Sequence, residues 1–503
     1  MRLHHISGDN VVFLYDHTEG ERPRVGDNYY VREVGSADTL VVQIVALETF
    51  NYPSLAEVLM RQIMEDSYGE HRIQTFAAQT NAPQVDNLGQ AAGKIRRRVL
   101  SNDVWGIWNG YLPSRNVIIE KIQDEDLLRA CGLLEPRYPL NVGQTLDGRE
   151  FAIAGRKYEK VNVITALKGM GKSHLAKVIV LQLMQRQMVS VIFDINREYT
   201  QLPALVEENG EVAAAGTIVL SASQNFRVTI EGFGRRAFVR LFEQFNPPEN
   251  TRNIFEMRIN EAFNQLEQLD FANQQAPENR QRQRPFLNID HIRGLFPANR
   301  TNEFVRNAVM DRLEIIENLN LFAITIDEGS SFYHAYDICA QRGGAIVIDL
   351  APLSSRFARE TFVGATLDMV ERMAQTSPKL PFVFFEEAHL YTSGERIDNL
   401  ITRARHLGIT STFVTNMITH LNETILRQVD NLFLLYLPHK DDVKHVAKSA
   451  TTDEETVSAF AQRIERHHAM VVGVATNNYP IVFRVAAADG INMAGQTRYA
   501  FPE

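Results

Sequence analysis

The sequence predicts an α/β protein in which a parallel-sheet core follows a small β-barrel and is interrupted by an inserted helical domain. Three observations support this prediction. A buried strand is joined to a helix through a glycine-containing loop within residues 161–184. Short β-rich runs fill residues 1 to about 110. From about residue 233 to 322, helical apolar spacing replaces the alternation of strands and helices.

Composition argues against a strongly basic nucleic-acid-binding protein and against a disulfide-rich protein. With 503 residues and 45% hydrophobic content, the chain is long enough for several domains with sizeable cores. Lys and Arg number 52 against 61 Asp and Glu, a net charge of −9, so any DNA contact must be local. Cys131 and Cys339 are the only cysteines, which argues against a disulfide framework and suits a reducing compartment.

The chain carries no sequence signal for membrane insertion or secretion. No apolar run approaches membrane-spanning length, and the N-terminus MRLHHISGDN lacks the apolar core of a signal peptide. We therefore expect a cytoplasmic protein that does not associate with a membrane.

The N-terminal region contains the β-rich runs VVFLYD, NYYVREV and TLVVQIVALETF, separated by breaks rich in Gly, Asp and Asn. This pattern predicts a small β-barrel, with a helix near residues 54–64 and a polar loop at residues 77–93. A basic cluster follows, for which a solvated face or a subunit contact is favoured over nucleic-acid binding. Its members are Lys94, Arg96, Arg97 and Arg98.

The loop in VNVITALKGMGKSHLAKVIVLQLM has the residue types that bind phosphate. Backbone N–H groups that converge at a helix N-terminus bind phosphate oxygens, and glycines let the main chain approach closely. Lys172 would reach the β- and γ-phosphates of ATP, and Ser173 would hold Mg²⁺. Its strand–loop–helix context favours this over a chance Gly-rich turn. The predicted binding residues are Ala166, Lys168, Gly169, Met170, Gly171, Lys172, Ser173 and His174.

This loop departs from the pattern GxxxxGK[ST] at its first position, where Ala166 replaces Gly. Alanine adopts a positive φ less cheaply than glycine, so the turn can differ slightly. The segment GMGKS, which carries most phosphate contacts, is intact.

A second buried strand, within SVIFDINREYTQL, ends at Asp194 and is followed by Arg197, Glu198 and Tyr199. Ligands of parallel α/β sheets bind beyond the carboxyl ends of the strands, so these residues are placed for contacts with nucleotide or water. In the alternative interpretation, Asp194 begins a turn and Glu198 is merely exposed.

The segment LPFVFFEEAHL is an apolar strand that ends in two acids, as in a Walker B motif, with Glu386 in place of the usual Asp. Glu386 would orient Mg²⁺ and its water, and Glu387 would polarise the attacking water. Glutamate is longer than aspartate by one methylene, so the metal shell can be rearranged. Coexistence with the phosphate-binding loop disfavours an ordinary acidic surface.

A third polar segment, ITRARHLGITSTFVTNMITHL, carries Arg403 and Arg405 before a strand and Asn416 at the end of that strand. An arginine at such an edge can reach the γ-phosphate held by a neighbouring subunit, and Asn416 lies where a polar γ-phosphate sensor would lie. The alternative is an arginine that interacts with the dipole of its own helix.

The motifs GMGKS, FFEEAH and ARHLGI, followed by VTNMITHLNETILRQVDNLFLLYLPHKDD, resemble those of the HerA family in the HerA/FtsK group of P-loop motors. The resemblance covers nearly the whole chain. It implies a HerA-type N-terminal barrel, a RecA-like ATPase core with a helical insertion, and a homohexameric ring. Family members translocate double-stranded DNA through the central pore and commonly partner a nuclease.

The resemblance also assigns roles by position. Lys172 and Ser173 match the Walker A lysine and serine, and Glu386 and Glu387 match the Walker B acids. Arg405 matches the arginine that we take as the candidate finger.

Three positions, Ala166, Glu386 and Asn416, depart from the family pattern, since the family usually has Gln where this chain has Asn416. The departures suggest a divergent branch, such as the HerA-like ATPases paired with nuclease or NADase effectors in antiphage defence.

Two functional hypotheses follow. The first is a DNA translocase or helicase driven by ATP hydrolysis, with a nuclease or NADase-type effector bound through the N-terminal barrel. The second is a nucleotide-dependent hexameric scaffold that assembles and activates an effector. The intact Lys172, Glu387 and Arg405 favour the motor, whereas the acidity and Glu386 favour the scaffold.

The same motifs and element patterns predict the domain boundaries. They are residues 1–123 for the barrel, 124–160 for a connector, 161–232 and 323–485 for the two parts of the core, 233–322 for the helical insertion, and 486–503 for a C-terminal tail.

Overall fold

The computed structural model describes most of the chain. The described residues are 1–17, 22–36, 38–49, 88–100, 104–114, 116–203, 206–208, 211–214, 216–275, 286–392, 403, 406–449 and 453–488. No helix within these ranges is long and apolar enough to cross a membrane. The predicted helix near residues 54–64 lies outside them.

The N-terminal region forms an antiparallel sheet of seven strands in the order β1-β2-β5-β4-β3-β7, with β6 paired to β5. Alternate residues of β2, Val11, Phe13 and Tyr15, are buried, which gives one apolar face. Among the described residues no ladder joins β1 to β7, so the predicted closed barrel is not confirmed. The strands are β1 (Arg2–Ser7), β2 (Asn10–Asp16), β3 (Asn28–Glu33), β4 (Thr39–Thr49), β5 (Leu88–Val99), β6 (Trp105–Gly106) and β7 (Val117–Lys121).

The prediction of a loop at residues 77–93 is wrong from residue 88 onward, because β5 begins at Leu88. This stretch, LGQAAGK, lacks the β-branched and aromatic residues that mark strands. Its small residues are nevertheless required, since a Cβ at Gly93 would lie 2.7 Å from a methyl carbon of Val42. Close packing against β4 therefore requires the Gly and Ala residues that make this strand hard to recognise from the sequence.

The core begins with a short helix and then a sheet of eleven strands in the order β14-β15-β11-β16-β17-β10-β18-β19-β20-β8-β9. Its first elements are α1 (Asp124–Ala130), β8 (Pro139–Thr145), β9 (Glu150–Ala154), α2 (Gly155–Tyr158), β10 (Val161–Thr165), α3 (Lys172–Gln185), β11 (Val189–Asp194) and β14 (Thr217–Ser221). Strands β12 (Val206–Glu208) and β13 (Glu211–Ala214) form a separate pair. Residues 124–160, predicted as a connector, thus contribute two strands to the central sheet.

A group of helices follows β14 and packs on an aromatic core. Phe255 stacks on Phe242 with 3.7 Å between ring centroids, and Phe238 and Phe296 lie against the same ring. The helices are α4 (Ile230–Phe233), α5 (Arg235–Glu243), α6 (Glu249–Gln275), α7 (Ile289–Gly294) and α8 (Glu303–Asn318).

The chain then returns to the sheet. The remaining elements are α9 (Ile326–Arg342), β15 (Gly344–Asp349), α10 (Arg356–Thr376), β16 (Pro381–Glu386), β17 (Thr410–Thr415), α11 (Glu423–Leu426), β18 (Asn431–Leu434), α12 (Lys440–Ser449), α13 (Glu454–Ala461), β19 (His468–Gly473) and β20 (Ile481–Val485).

The first seven strands in this order, from β14 through β10 to β18, pair in parallel. The remaining strands, β19, β20, β8 and β9, join the sheet through antiparallel pairings. All six residues of β16 are buried, as expected for a parallel sheet covered on both faces. Val383 and Phe385 pack into the cluster on one face, and Phe384 packs into the cluster on the other, with α3. The sheet therefore fixes α3 and its preceding loop against one face.

The N-terminal sheet is tied to the core by an ionic group, with buried cations and more exposed acids, that we call the junction cluster. It consists of Lys94 and Arg96 of β5 with Asp453, Glu455 and Thr456 of the C-terminal region. Arg96 Nη1 lies 3.1 Å from Asp453 Oδ2, and Lys94 Nζ lies 2.9 Å from Asp453 Oδ1. The two cationic side chains are only 5% and 8% exposed. The predicted solvated face is thus wrong for them, and they bridge two regions of the same chain.

Asp453 is the centre of this cluster. Burial alone would raise its pKa, but the hydrogen bonds from Thr456 and Lys94 and the charge of Arg96 outweigh burial and hold that pKa well below its usual range. A lowered folded-state pKa stabilises the protein above the pKa of a free aspartate, and this stabilisation is lost as the pH falls through the lowered value.

We expect Asp453→Asn to destabilise the chain by about 1 kcal/mol at pH 7, because it leaves the buried Arg96 without its carboxylate partner while solvent screens the partly exposed position 453. Urea denaturation measures this loss. The difference from wild type should shrink as the pH falls below about 4, where free aspartate becomes protonated. Glu454→Gln, an exposed acid at the start of α13, is the matched control. Equal losses in both variants would contradict this role of the junction cluster.

Candidate active site

The candidate site lies at the carboxyl edge of the central sheet, where β10, β17, β16 and β11 end side by side. Thr165 of β10 pairs with Thr415 of β17, and Glu386 of β16 pairs with Val414 of β17. Because these strands are parallel, the residues that follow each of them meet at one edge. The predicted residues of the loop and of the acidic motif are thereby brought together.

The loop between β10 and α3 has the backbone conformation that the sequence predicts. Gly169 and Gly171 have φ of +84° and +100°, a region that glycine adopts without strain. The N–H of Met170 donates to the carbonyl oxygen of Leu167 at 3.2 Å, which closes a turn. The N–H of Leu167 in turn donates to the carbonyl oxygen of Tyr436, so the loop is fastened to the chain just beyond β18.

Other predicted loop residues lie at different depths. Lys168 is exposed at the tip of the loop, and Met170 packs partly against the core. His174 Nε2 lies 2.8 Å from the carbonyl oxygen of Ala486, so its ring is engaged by the segment that follows β20.

Ala166 fits the loop without the positive φ that a consensus glycine would permit. Its side chain is fully buried in the same apolar cluster as Leu175 and Ile179 of α3. The substitution therefore adds buried apolar contact and imposes no strain on the turn.

Lys172, the first residue of α3, contacts both predicted acids. Its Nζ lies 3.1 Å from Glu386 Oε1 and 2.8 Å from Glu387 Oε1. The hydroxyl of Ser173 donates to the same Glu386 oxygen at 2.8 Å. Glu386 is fully buried, and Lys172 and Glu387 are nearly so. The groups that would bind phosphate and metal thus hold one another in place.

The electrostatic balance of this group favours a cation. Burial would lower the pKa of Lys172, but the carboxylates of Glu386 and Glu387 outweigh burial and raise it. One ammonium faces two carboxylates, so the group carries surplus negative charge that would repel a bare triphosphate. Ser173 and Glu386 would hold a divalent cation, which would supply compensating positive charge, and these oxygen ligands suit Mg²⁺.

The second oxygen of Glu386 is held by Tyr199, for which the sequence predicts contacts with nucleotide or water but no contact with this carboxylate. The hydroxyl of Tyr199 donates to Glu386 Oε2 at 2.7 Å, and the N–H of Tyr199 donates to Asp194 Oδ2 at 2.7 Å. Burial raises the pKa of Asp194 to about 6, with Glu386 adding to the rise and backbone N–H groups opposing it. Asp194 therefore both closes the turn after β11 and supports the site.

Glu387 has the left-handed backbone conformation, with φ of +49°, a strained state for a residue other than glycine. Its Oε2 makes no hydrogen bond within the described residues and lies 3.5 Å from Nδ1 of His389. That nitrogen is 3.0 Å from Oγ1 of Thr415, and burial lowers the pKa of His389, so the ring is neutral at pH 7. Glu387 thus keeps an oxygen available for a further partner.

Two more buried oxygen atoms at this edge lack a hydrogen-bond partner in the described part of the chain. They are Oγ1 of Thr165, at the end of β10, and Oδ1 of Asn416, which follows β17. Buried polar atoms normally have partners, so unpartnered ones beside a phosphate-binding loop indicate where water or a polar group of a ligand binds. The role of Asn416 as a sensor stays a prediction.

Of the two candidate arginines, Arg403 lies within the described residues and forms an ion pair with its own chain. Arg403 Nη2 pairs with Glu371 Oε2 of α10 at 2.9 Å, and the arginine side chain is 64% exposed. Burial raises the pKa of Glu371, and the charge of Arg403 opposes this rise. Arg405 lies outside the described residues, so its role as the finger stays a prediction.

A phosphate-binding loop facing paired acids at one edge of a parallel sheet defines an α/β P-loop ATPase fold. Residues 145–370 match the family model described as "Helicase HerA, central domain". These residues are therefore similar to a HerA-type central domain, and over them the resemblance to HerA predicted from the sequence is confirmed. No curated protein matches the chain significantly.

Three solved structures to which this chain is similar are the following. VirB4 of Thermoanaerobacter pseudethanolicus is 12% identical, with a TM-score of 0.45 over 69% of this chain and 96% of that chain. Plasmid coupling protein TrwB in complex with the GTP analogue GDPNP is 13% identical, with a TM-score of 0.46 over 73% and 93%. The genome packaging NTPase B204 of Sulfolobus turreted icosahedral virus 2 is 10% identical, with a TM-score of 0.33 over 66% and 100%.

We expect Ala166→Gly, which restores the consensus residue, to lower stability by about 1 kcal/mol, because it removes a buried methyl group and adds backbone freedom. Affinity for a fluorescent ATP analogue should stay within about twofold of wild type, since the loop conformation does not depend on this position. Gly169→Ala is the comparison, because it forces alanine into a positive φ and should weaken binding. Tighter binding by Ala166→Gly would show that the alanine strains the loop.

Proposed function

We propose that this chain hydrolyses ATP as a subunit of a homohexameric ring that translocates on or unwinds double-stranded DNA, together with a partner nuclease or effector. The observation that supports it most directly is the contact of Lys172 and Ser173 with Glu386 and Glu387. These four side chains are the ones that phosphoryl transfer to water requires: a cation for phosphate, two metal-binding oxygens and a carboxylate for water.

Nucleotide entry would rearrange this group. The ammonium of Lys172 would exchange the two carboxylates for the β- and γ-phosphate oxygens, which frees both acids. Mg²⁺ bound by Ser173 and Glu386 would supply charge neutralisation for the phosphates. Glu387, with its unpartnered Oε2, would then accept a hydrogen bond from the attacking water and polarise it.

The ring and its partners form the part of the proposal that rests on the resemblance to HerA. Arg403 is engaged by Glu371 of its own chain, so Arg405 is the better candidate to complete the active site of a neighbouring subunit. With a net charge of −9, DNA contacts would be confined to the pore. A nuclease or NADase-type effector would dock on the N-terminal sheet.

A second candidate function is a hexameric scaffold in which nucleotide binding drives assembly and effector activation. Two observations favour it: the acidic balance of the chain, and a buried Glu386 that replaces the usual Asp in the metal shell. Both are compatible with slow turnover. The two candidates differ in whether duplex DNA alters hydrolysis.

We expect Lys172→Ala to abolish binding of a fluorescent ATP analogue, because it removes the cation that faces the phosphates. Glu387→Gln should keep binding and lower kcat by about 100-fold or more, since the amide cannot polarise water. Steady-state phosphate release measures the second effect. Arg156→Ala, an exposed cation near the amino end of β10, is the control and should match wild type.

The same assay distinguishes the motor from the scaffold. For a motor, duplex DNA should stimulate phosphate release by the wild-type protein and its effector, and Glu387→Gln should lose biological activity. If DNA has no effect and Glu387→Gln keeps both the ring and full biological activity, the scaffold is the correct function. Failure of the wild-type chain to bind ATP would contradict both candidates.

We expect Arg405→Ala and Lys172→Ala subunits, each inactive alone, to regain hydrolysis when mixed. In a randomly mixed ring, about one quarter of the interfaces would combine an intact loop with an intact finger. ATPase titration across mixing ratios measures the recovery. The same mixture made with Arg403→Ala shows which arginine acts. No recovery with either arginine variant would contradict catalysis shared between subunits.

A further inference from the structure

Tyr199 makes a direct contact with the carboxylate of Glu386 from outside the phosphate-binding loop. The residue is fully buried, and its hydroxyl donates to Glu386 Oε2 at 2.7 Å. The other carboxylate oxygen, Oε1, accepts from Ser173 and Lys172. The two carboxylate oxygens of Glu386 therefore have different partners. Oε2 accepts from Tyr199, and Oε1 accepts from the residues that follow the phosphate-binding loop.

The hydrogen bond from Tyr199 restricts a freedom of rotation that the carboxylate of Glu386 has because the residue is glutamate and not aspartate. Glutamate has one more rotatable bond than aspartate, and its terminal torsion has a broad energy minimum. A free carboxylate would rotate and present either oxygen, or neither, to the hydroxyl of Ser173. A hydrogen bond to Oε2 restricts that rotation and leaves Oε1 directed at Ser173.

Tyr199 is itself held firmly in place. Its N–H donates to Asp194, and Nζ of Lys177 lies 5.7 Å from the centroid of its ring. Lys177 also pairs with Glu198 at 3.0 Å. Burial, with the nearby charge of Glu386 and the hydrogen bond to it, raises the pKa of Tyr199 well above its usual value.

We propose that Tyr199 is a positioning residue that holds Glu386 in the orientation in which its Oε1 and the hydroxyl of Ser173 bind the nucleotide's divalent cation. This assignment rests on the proposed ATP-binding function. It predicts that the tyrosine hydroxyl affects the response to Mg²⁺ and has little effect on affinity for nucleotide alone, because no phosphate contact is removed.

The test is a titration of a fluorescent ATP analogue with Tyr199→Phe, first in EDTA and then at increasing Mg²⁺. In EDTA the affinity should match wild type within about twofold. The Mg²⁺ concentration for half-maximal effect on binding should rise by about 10-fold, as is common when a residue that orients a metal ligand is lost. An unchanged Mg²⁺ response would overturn the assignment.

Tyr391→Phe is the matched control. Tyr391 is also fully buried, and its hydroxyl donates to the backbone carbonyl oxygen of Glu386 at 2.7 Å, so it contacts the same residue without touching its carboxylate. It should lower thermal stability and leave the Mg²⁺ response unchanged. An equal shift in both variants would mean that loss of packing, not carboxylate orientation, causes the effect, and would overturn the assignment.

Glu386→Asp tests the idea without removing the tyrosine. It restores the usual Walker B residue but withdraws the carboxylate by about 1.5 Å, the length of one carbon–carbon bond. The Mg²⁺ requirement should rise, and adding Tyr199→Phe to this variant should change it by less than about twofold. A lower Mg²⁺ requirement in Glu386→Asp, or full additivity of the two changes, would overturn the assignment. Absence of any nucleotide binding by the wild-type chain would instead overturn the proposed function.

Discussion

The contact between Lys172 and the paired acids is the constraint on which the site depends. Taking charged groups out of water costs several kcal/mol per ion, so three such groups stay buried only when their partners are accurately placed. That placement comes from the sheet: β17 lies between the strand before the loop and the strand that ends in the acids. A slip of one residue in either pairing would turn Glu386 to the opposite face and leave the lysine without a partner.

The local part of this arrangement could be predicted from the sequence. The strand, loop and helix around Gly169 and Gly171 have distinctive residue types because their backbone conformations and packing require them. The two acids follow an apolar run, which marks the end of a buried strand. Both signals are short-range, and the structure brings both motifs to the same edge of the sheet.

The long-range part could not be predicted. Tyr199 looked like one of several polar residues beyond a strand, because nothing in its own segment indicates that its hydroxyl meets a carboxylate almost two hundred residues later. The first part of β5 could not be recognised as a strand because it is rich in Gly and Ala, which close packing against β4 requires. The basic residues beside it read as a surface feature because their acidic partners come from the far end of the chain.

The junction cluster has a consequence for how the chain reaches its folded state during synthesis. Arg96 and Asp453 are separated by 357 residues. At the usual pace of a ribosome the aspartate follows the arginine by roughly 20 to 70 s, which is long compared with the folding of a small sheet. The N-terminal strands must therefore remain soluble with Lys94 and Arg96 hydrated, and they dock only when the last part of the core emerges. The N-terminal sheet is thus translated well before the residues that complete its contacts with the core.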